Sequence, residues 1–216
     1  MKGTGYASLS VQVITGVVDA WGLTLPLEKK DVIYREILAV ELFVQTIELC
    51  FYIWMILNID KKQNITIYRY YDWFFSTPLM LITLCAFLQP ASSLYGFVKQ
   101  NKKELSTLLM LNALMLLCGW KSETTQDEKK LWVSLGFMFW AMEFSFLFVC
   151  FYPSSNHPLF FYFLVIWSFY GIGALLPYEL KNHTYNLLDL LSKNGFGVYL
   201  TYFIYQKSKH LSKKKT

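Results

Sequence analysis

In the stretch LLDLLSKNGFGVYLTYF, residues 187–203, an aspartate and a lysine interrupt an apolar run: Asp189 and Lys193. At i and i+4 they share one helix face, a turn apart. Burying two charges often fails to repay their desolvation, so pairing alone is a weak reason for them to be there. A lysine desolvated in an apolar pocket has another use, forming a Schiff base with a carbonyl compound. The cation of such an adduct is cut off from water and needs fixed carboxylates, for which Asp189 and Asp72 are candidates. Asp72 lies in RYYDWFFSTPLMLITL, where Arg69, Asp72 and Ser76 fall at i, i+3 and i+7 on one face. An arginine one turn outside an aspartate favours its charged form. Ser76, a turn further in, is placed to hydrogen-bond to Asp72 and relay a proton. Two further polar rows keep to single helical faces: Ser8, Gln12, Thr15 and Asp19 at i, i+4, i+7 and i+11, and Glu41, Gln45 and Glu48 at i, i+4 and i+7. Asn186, Ser192 and Asn194 add polar groups around the lysine.

The elements that carry these residues are apolar blocks of about 20 residues, the length that crosses a ~30 Å hydrocarbon core. Of the 216 residues 55% are hydrophobic and only 16% charged, against roughly 25% charged in soluble domains. The blocks predict seven spans, at 6–27, 32–57, 65–89, 103–120, 131–152, 158–178 and 184–206. They are too long, and alternate too little, for a membrane barrel. The expected architecture is an all-α membrane protein, a seven-transmembrane-helix bundle forming a single domain over 1–216. The N-terminal residues lack the charged, apolar and small-residue pattern of a signal peptide. Lysines and arginines near the span ends number eleven on one side and seven on the other, which orients the N-terminus outside and the C-terminus in the cytoplasm. The basic tail 207–216 then faces anionic lipid as an anchor rather than nucleic acid. The four cysteines, all inside apolar blocks, read as packing thiols. Asp, Lys or Arg at the bilayer centre costs roughly 2.5–3.5 kcal/mol, so the intramembrane charges should face the bundle interior. Glu143 and Arg35 suit side chains reaching for a membrane surface.

Taken together, RYYDWFFSTPLMLITL, DLLSKNGFG and WSFY (Trp167 to Tyr170) resemble the third, seventh and sixth helices of microbial (type I) rhodopsins. The resemblance spans the whole chain in span number, motif order and orientation. It implies all-trans retinal bound covalently to Lys193 as a protonated Schiff base, with Asp72 and Asp189 as the counterion pair and Arg69 just outside them. Trp73, Trp167 and Tyr170 would line the chromophore, with Trp132 as a further pocket residue. Thr77 would lie under the polyene, and Ser76 would bond to Asp72. Trp21, Trp54, Trp120 and Trp140 read as ordinary core aromatics.

The resemblance also bears on what the protein does. Outward proton pumps of the family carry a carboxylate eleven residues after the counterion, and this chain has Thr83 there. The sixth-helix proline and second tryptophan expected after Tyr170 are Gly171 and Ala174. The polar rows on spans 1, 2 and 7 instead suggest an aqueous path, with Gln12, Asp19, Glu41, Gln45, Glu48 and Asn194 along it and carboxylates to attract cations. Two glutamates on the second helix and an asparagine directly after the lysine resemble channelrhodopsins, and the short chain looks like the channel-type viral rhodopsins. The function so implied is a light-gated cation channel opened by retinal isomerisation, not an enzyme. The alternatives are an outward proton pump, with Glu41 or Glu48 as a relocated donor, and a sensor. Expected partners are the bilayer and cations or protons, with a homo-oligomer left open and no nucleic acid. A transporter should show repeat symmetry, and a coupled receptor should have longer inner loops. Asn64 and Asn182 lie in N-x-T glycosylation patterns on the expected outer side.

Overall fold

Each apolar block folds as helix, and proline marks where most of them stop. The computed structural model describes residues 2–62, 64–125, 127–154 and 157–213, so the last lysines of the basic tail, at 214 and 215, lie outside it. The order is α1 (Lys2–Gly22), a 3₁₀ turn (Lys29–Asp31) leading into α2 (Val32–Asn58), α3 (Thr66–Leu88), α4 (Leu94–Gln100), α5 (Lys102–Thr124) and α6 (Lys129–Phe151). There follow α7 (Leu159–Gly173), α8 (Tyr178–Asp189), a π-helical turn (Leu190–Asn194) and α9 (Gly195–Lys213). No strand occurs among the described residues. Pro26, Pro90 and Pro153 follow α1, α3 and α6, while Pro158 and Pro177 immediately precede α7 and α8, positions where a missing N–H costs little. Pro78 alone sits inside an α-helix, α3, while Pro153 lies in the 3₁₀ turn Tyr152–Ser154 that follows α6.

Several boundaries differ from the sequence expectation. The first helix stops at Gly22, not near residue 27, because the chain must turn ahead of Pro26. The last block starts at Tyr178, six residues early, where Pro177 supplies the start, and it runs on to Lys213. The described part of the basic tail is therefore helical, and Lys207 Nζ holds Asp31 Oδ1 at 2.9 Å. The short helix α4, opened by Ser93 accepting from Gly96 N at 3.1 Å, lies between the expected third and fourth spans.

The long helices close into a ring. α1 packs on α2, α2 on α3, α3 on α5, α5 on α6, α6 on α7, and α7 on α8, while α9 returns to α1 and α2. This ring is inside-out relative to a soluble domain. Ile14, Val17, Leu57, Phe75 and Val149 are more than half exposed on its rim, whereas Asp19, Glu41, Glu48, Glu143 and Asp189 are fully buried. Contiguous apolar surface of that kind is stable only against lipid or a partner. Lys29–Asn58, Thr66–Leu88, Lys102–Thr124 and Lys129–Phe151 are each long and apolar enough to cross a bilayer. Glu143 departs from expectation: it points into the bundle, since its position in the middle of α6 leaves no surface within reach.

Candidate functional site

Lys193 occupies the π-helical turn between α8 and α9, where Gly195 N reaches back to Leu190 O. A π turn adds one residue per turn, rotating the lysine relative to the α-helical register, and such turns are frequent at functional sites. Lys193 Nζ makes a hydrogen-bonded ion pair with Asp72 Oδ2 on α3 and lies 3.9 Å from Asp189 Oδ1. Both carboxylates named from the sequence are thus brought to one amine. They are not equivalent. Asp189 Oδ1 accepts from Trp73 Nε1 at 3.1 Å and Tyr170 OH at 2.8 Å. Its Oδ2 accepts from Tyr52 OH at 2.9 Å and Arg69 Nη1 at 3.2 Å. Asp72 Oδ1, also buried, has no hydrogen-bond partner.

Two details correct the sequence reading. Arg69 shares a helix with Asp72, yet its guanidinium turns across the bundle to α8, pairing with Asp189 and bonding to Asn182 Oδ1 at 3.0 Å and to Asn186 Oδ1. The reason is that α8 presents two amides and a carboxylate together, a better match to five guanidinium donors than one carboxylate. Ser76 Oγ donates to the main-chain carbonyl of Asp72 at 2.9 Å, the usual i−4 option of a helical serine. Asn182 is fully engaged with Arg69 and with Thr66 Oγ1, at 3.0 Å, and is buried, so its N-x-T pattern is closed to a glycan. Tyr52, four residues after Glu48 on the same face of α2, joins the site with no charge in the sequence to mark it.

From Lys193 an apolar cavity runs between α3, α5, α6 and α7, enclosing about 770 Å³ of empty space including its open mouth. Trp73, Trp167, Tyr170 and Thr77 line it, as the motifs suggested. Trp73 stands edge-on to Tyr170 (5.2 Å, 86°) and to Tyr185 (5.1 Å, 88°), which makes that wall rigid. On α6 the expectation fails. Trp132 lies outside the cavity, its Nε1 donating to Glu128 Oε2 at 3.0 Å near the helix start, and Trp140 lines the cavity instead. Trp140 is two turns deeper and on the inward face, while Trp132 has a carboxylate beside it at the helix end. The cavity also needs bare backbone: a Cβ on Gly119 would come within 2.6 Å of Tyr70 Oη, and one on Gly171 within 2.5 Å of the Phe137 ring. An apolar, aromatic lining and one amine at the end together fit a long apolar aldehyde.

The polar rows of α1 and α2 meet each other and α9. Gln12 Nε2 donates to Glu48 Oε1 at 3.1 Å, and Gln45 Nε2 to Asp19 Oδ2 at 2.5 Å. Asn194 Nδ2 lies 2.8 Å from Thr15 Oγ1 and 3.3 Å from Gln45 Oε1, and Thr201 Oγ1 donates to Asp19 Oδ1 at 2.7 Å. Glu41 accepts from Thr83 Oγ1, the α3 residue eleven positions after Asp72. Buried oxygens of Gln12, Glu41, Glu48 and Asn194 remain without partners. Gly197 makes the crossing tight enough, since a Cβ there would sit 2.0 Å from Asp19 Oδ2.

No curated protein sequence matches this chain significantly. Among solved structures, the crystal structure of viral rhodopsin OLPVRII superposes with a TM-score of 0.80 at 25% identity, covering 95% of this chain and 97% of that one. The thermophilic rhodopsin from Rubrobacter xylanophilus gives a TM-score of 0.81 at 18% identity (96% and 97% covered), and xanthorhodopsin, described as a light-driven ion pump with dual chromophore, 0.77 at 18% (98% and 94%). Residues 6–207 match the family profile described as bacteriorhodopsin-like protein, and the chain belongs to that family of integral, multi-pass membrane proteins, whose rhodopsin members bind retinal through a Schiff base.

Proposed function

We propose that the protein is a light-gated cation channel: a seven-helix bundle, N-terminus outside and C-terminus cytoplasmic, with all-trans retinal on Lys193. The observation that carries the retinal assignment is a single buried amine at the end of an aromatic cavity, held between Asp72 and Asp189. Bound retinal supplies the absorption of visible light and a light-driven change of shape. The residues around it do the rest. Asp189, gripped by four donors, is a fixed negative charge. Asp72, with one oxygen free of partners, is the carboxylate able to accept a proton from Lys193 Nζ. Trp73, Trp167 and Trp140 exclude water from that exchange, and Arg69 stands between the pair and the outer end of the bundle. The channel reading is supported by the carboxylates and amides of α1, α2 and the π turn, whose mutual bonds would have to part for ions to pass. Opening requires that Gln12–Glu48, Gln45–Asp19 and Asn194–Gln45 exchange partners for water, which leaves Glu48 and Asp19 facing the path.

A second reading, an outward proton pump, is favoured by one contact. Thr83 cannot deliver a proton, but Glu41, bonded to it, brings a carboxyl to the same depth from α2. Voltage-clamped recording under light separates the two. Photocurrents that reverse sign with voltage, and that change in size or selectivity in Glu48→Gln, are the channel result. Currents outward at every voltage, abolished or slowed in Glu41→Gln, would replace it with the pump. Lys193→Ala should lose the visible band formed with all-trans retinal, and a band that survives would end the retinal assignment.

A further inference from the structure

Glu143 stands outside everything assigned so far. It is fully buried in the middle of α6, neither carboxyl oxygen has a hydrogen-bond partner, and among the described residues it forms no ion pair. Near it stand the Cys85 thiol of α3 and Asn112 of α5, both fully buried, and Asn112 Nδ2 is likewise unpartnered. The amide oxygen is also engaged: Asn112 Oδ1 lies 2.8 Å from Thr77 Oγ1, whose single proton it shares with the Trp73 carbonyl, also at 2.8 Å. Thr77 lines the cavity, and so does Trp140, one turn before Glu143 on α6. A carboxylate with no cation beside it in apolar surroundings costs far more than the neutral acid. A neutral acid and a carboxamide are complementary, since the acid O–H can donate to Oδ1 while Nδ2–H donates to the acid carbonyl.

We propose that Glu143 is a positioning residue for the chromophore: as a carboxylic acid it closes an acid–amide pair with Asn112, and this pair holds Thr77, and with it the α3 wall of the cavity, against α5 and α6. The proposal rests on the retinal reading, but its contact does not. Movement of the Thr77 wall under light is transmitted to the pair, and the acid carbonyl changes its hydrogen bonding. Without the pair, the oxygens of Glu143 and Nδ2 of Asn112 are orphans with no evident purpose.

Two measurements test it. In retinal-free protein, thermal melting of Glu143→Leu, Asn112→Leu and the double variant should be strongly non-additive, with Glu143→Gln, which keeps both kinds of hydrogen bond, melting close to wild type. Additive shifts overturn the pair. In retinal-loaded protein, light-minus-dark infrared spectra should show a carboxylic-acid carbonyl change that is lost in Glu143→Gln and shifted in Asn112→Ala. A visible band with no such change in any background overturns the transmitted movement while leaving the retinal reading intact. Wild-type protein that forms no visible band with retinal overturns both.

Discussion

Replacing Gly197 with alanine should destabilise the protein although alanine is the better helix former. In an unobstructed helix the change is favourable by about 0.8–1.0 kcal/mol. Here the new methyl would stand 2.0 Å from Asp19 Oδ2 and 2.2 Å from Gln45 Nε2. Ordinary contact is at roughly 3.5 Å, so both atoms must retreat by more than 1 Å. Their mutual bond, 2.5 Å long, ties α1 to α2 directly over Gly197 of α9. Orphaning a buried donor and a buried acceptor costs about 1–3 kcal/mol each. Set against the helix gain, the net loss is about 1–5 kcal/mol. At about 2–4 °C per kcal/mol for a chain of this size, a loss near the middle of that range lowers the melting temperature by roughly 6–12 °C. The assay is thermal unfolding of detergent-solubilised, retinal-free Gly197→Ala, with Asp19→Ala and the double variant alongside. Asp19→Ala removes one obstruction, so the alanine at 197 should cost much less in that background. Wild-type melting of Gly197→Ala, or an equal cost in both backgrounds, would refute the idea that close approach is what this glycine provides.

The placement of the α6 aromatics predicts that Trp140→Phe shifts the absorption maximum of the retinal-loaded protein whereas Trp132→Phe does not; the reverse pattern would undo the assignment of the cavity wall. His157, between α6 and α7, accepts from Leu159 N at 3.1 Å and sits against Phe87 and Tyr199, and this burial holds its imidazole below the ordinary value. A depressed histidine is neutral when folded, so its contribution is present above the unfolded value of about 6.5 and is lost as pH falls through the folded one. Melting profiles between pH 7.5 and 5 should therefore fall less steeply in His157→Asn than in wild type, and parallel profiles would count against it.

How much of the site was legible can be judged from particular residues. Asp72, Asp189 and Lys193 are readable because ionisable groups in apolar blocks have no other place to go than the bundle interior and each other. Glu41, Gln45 and Glu48 are readable as one inward face because helical periodicity places them so, and the same periodicity reaches Tyr52, which went unread because a tyrosine in an aromatic-rich span carries no charge to mark it. Trp132 and Trp140 show the opposite case. Both are tryptophans on one apolar helix, and only the angle at which α6 meets α5 and α7 decides which ring faces the cavity.

The sequence by itself determined the bilayer as solvent, the interior as the polar side, and the identity of the amine and the two acids, since apolar length and the cost of charge in hydrocarbon are local properties of the chain. Tertiary structure alone decided the partners. Arg69 goes to Asp189 and not to its helix neighbour Asp72, because α8 gathers a carboxylate and two amides on one face over two turns. Lys193 reaches Asp72 as well as its i−4 neighbour Asp189 because α3 packs opposite the π turn, and Glu143 comes near Asn112 because α5 and α6 pack along their length. Which groups meet across helices depends on rotation and depth, to which no spacing along one helix is sensitive.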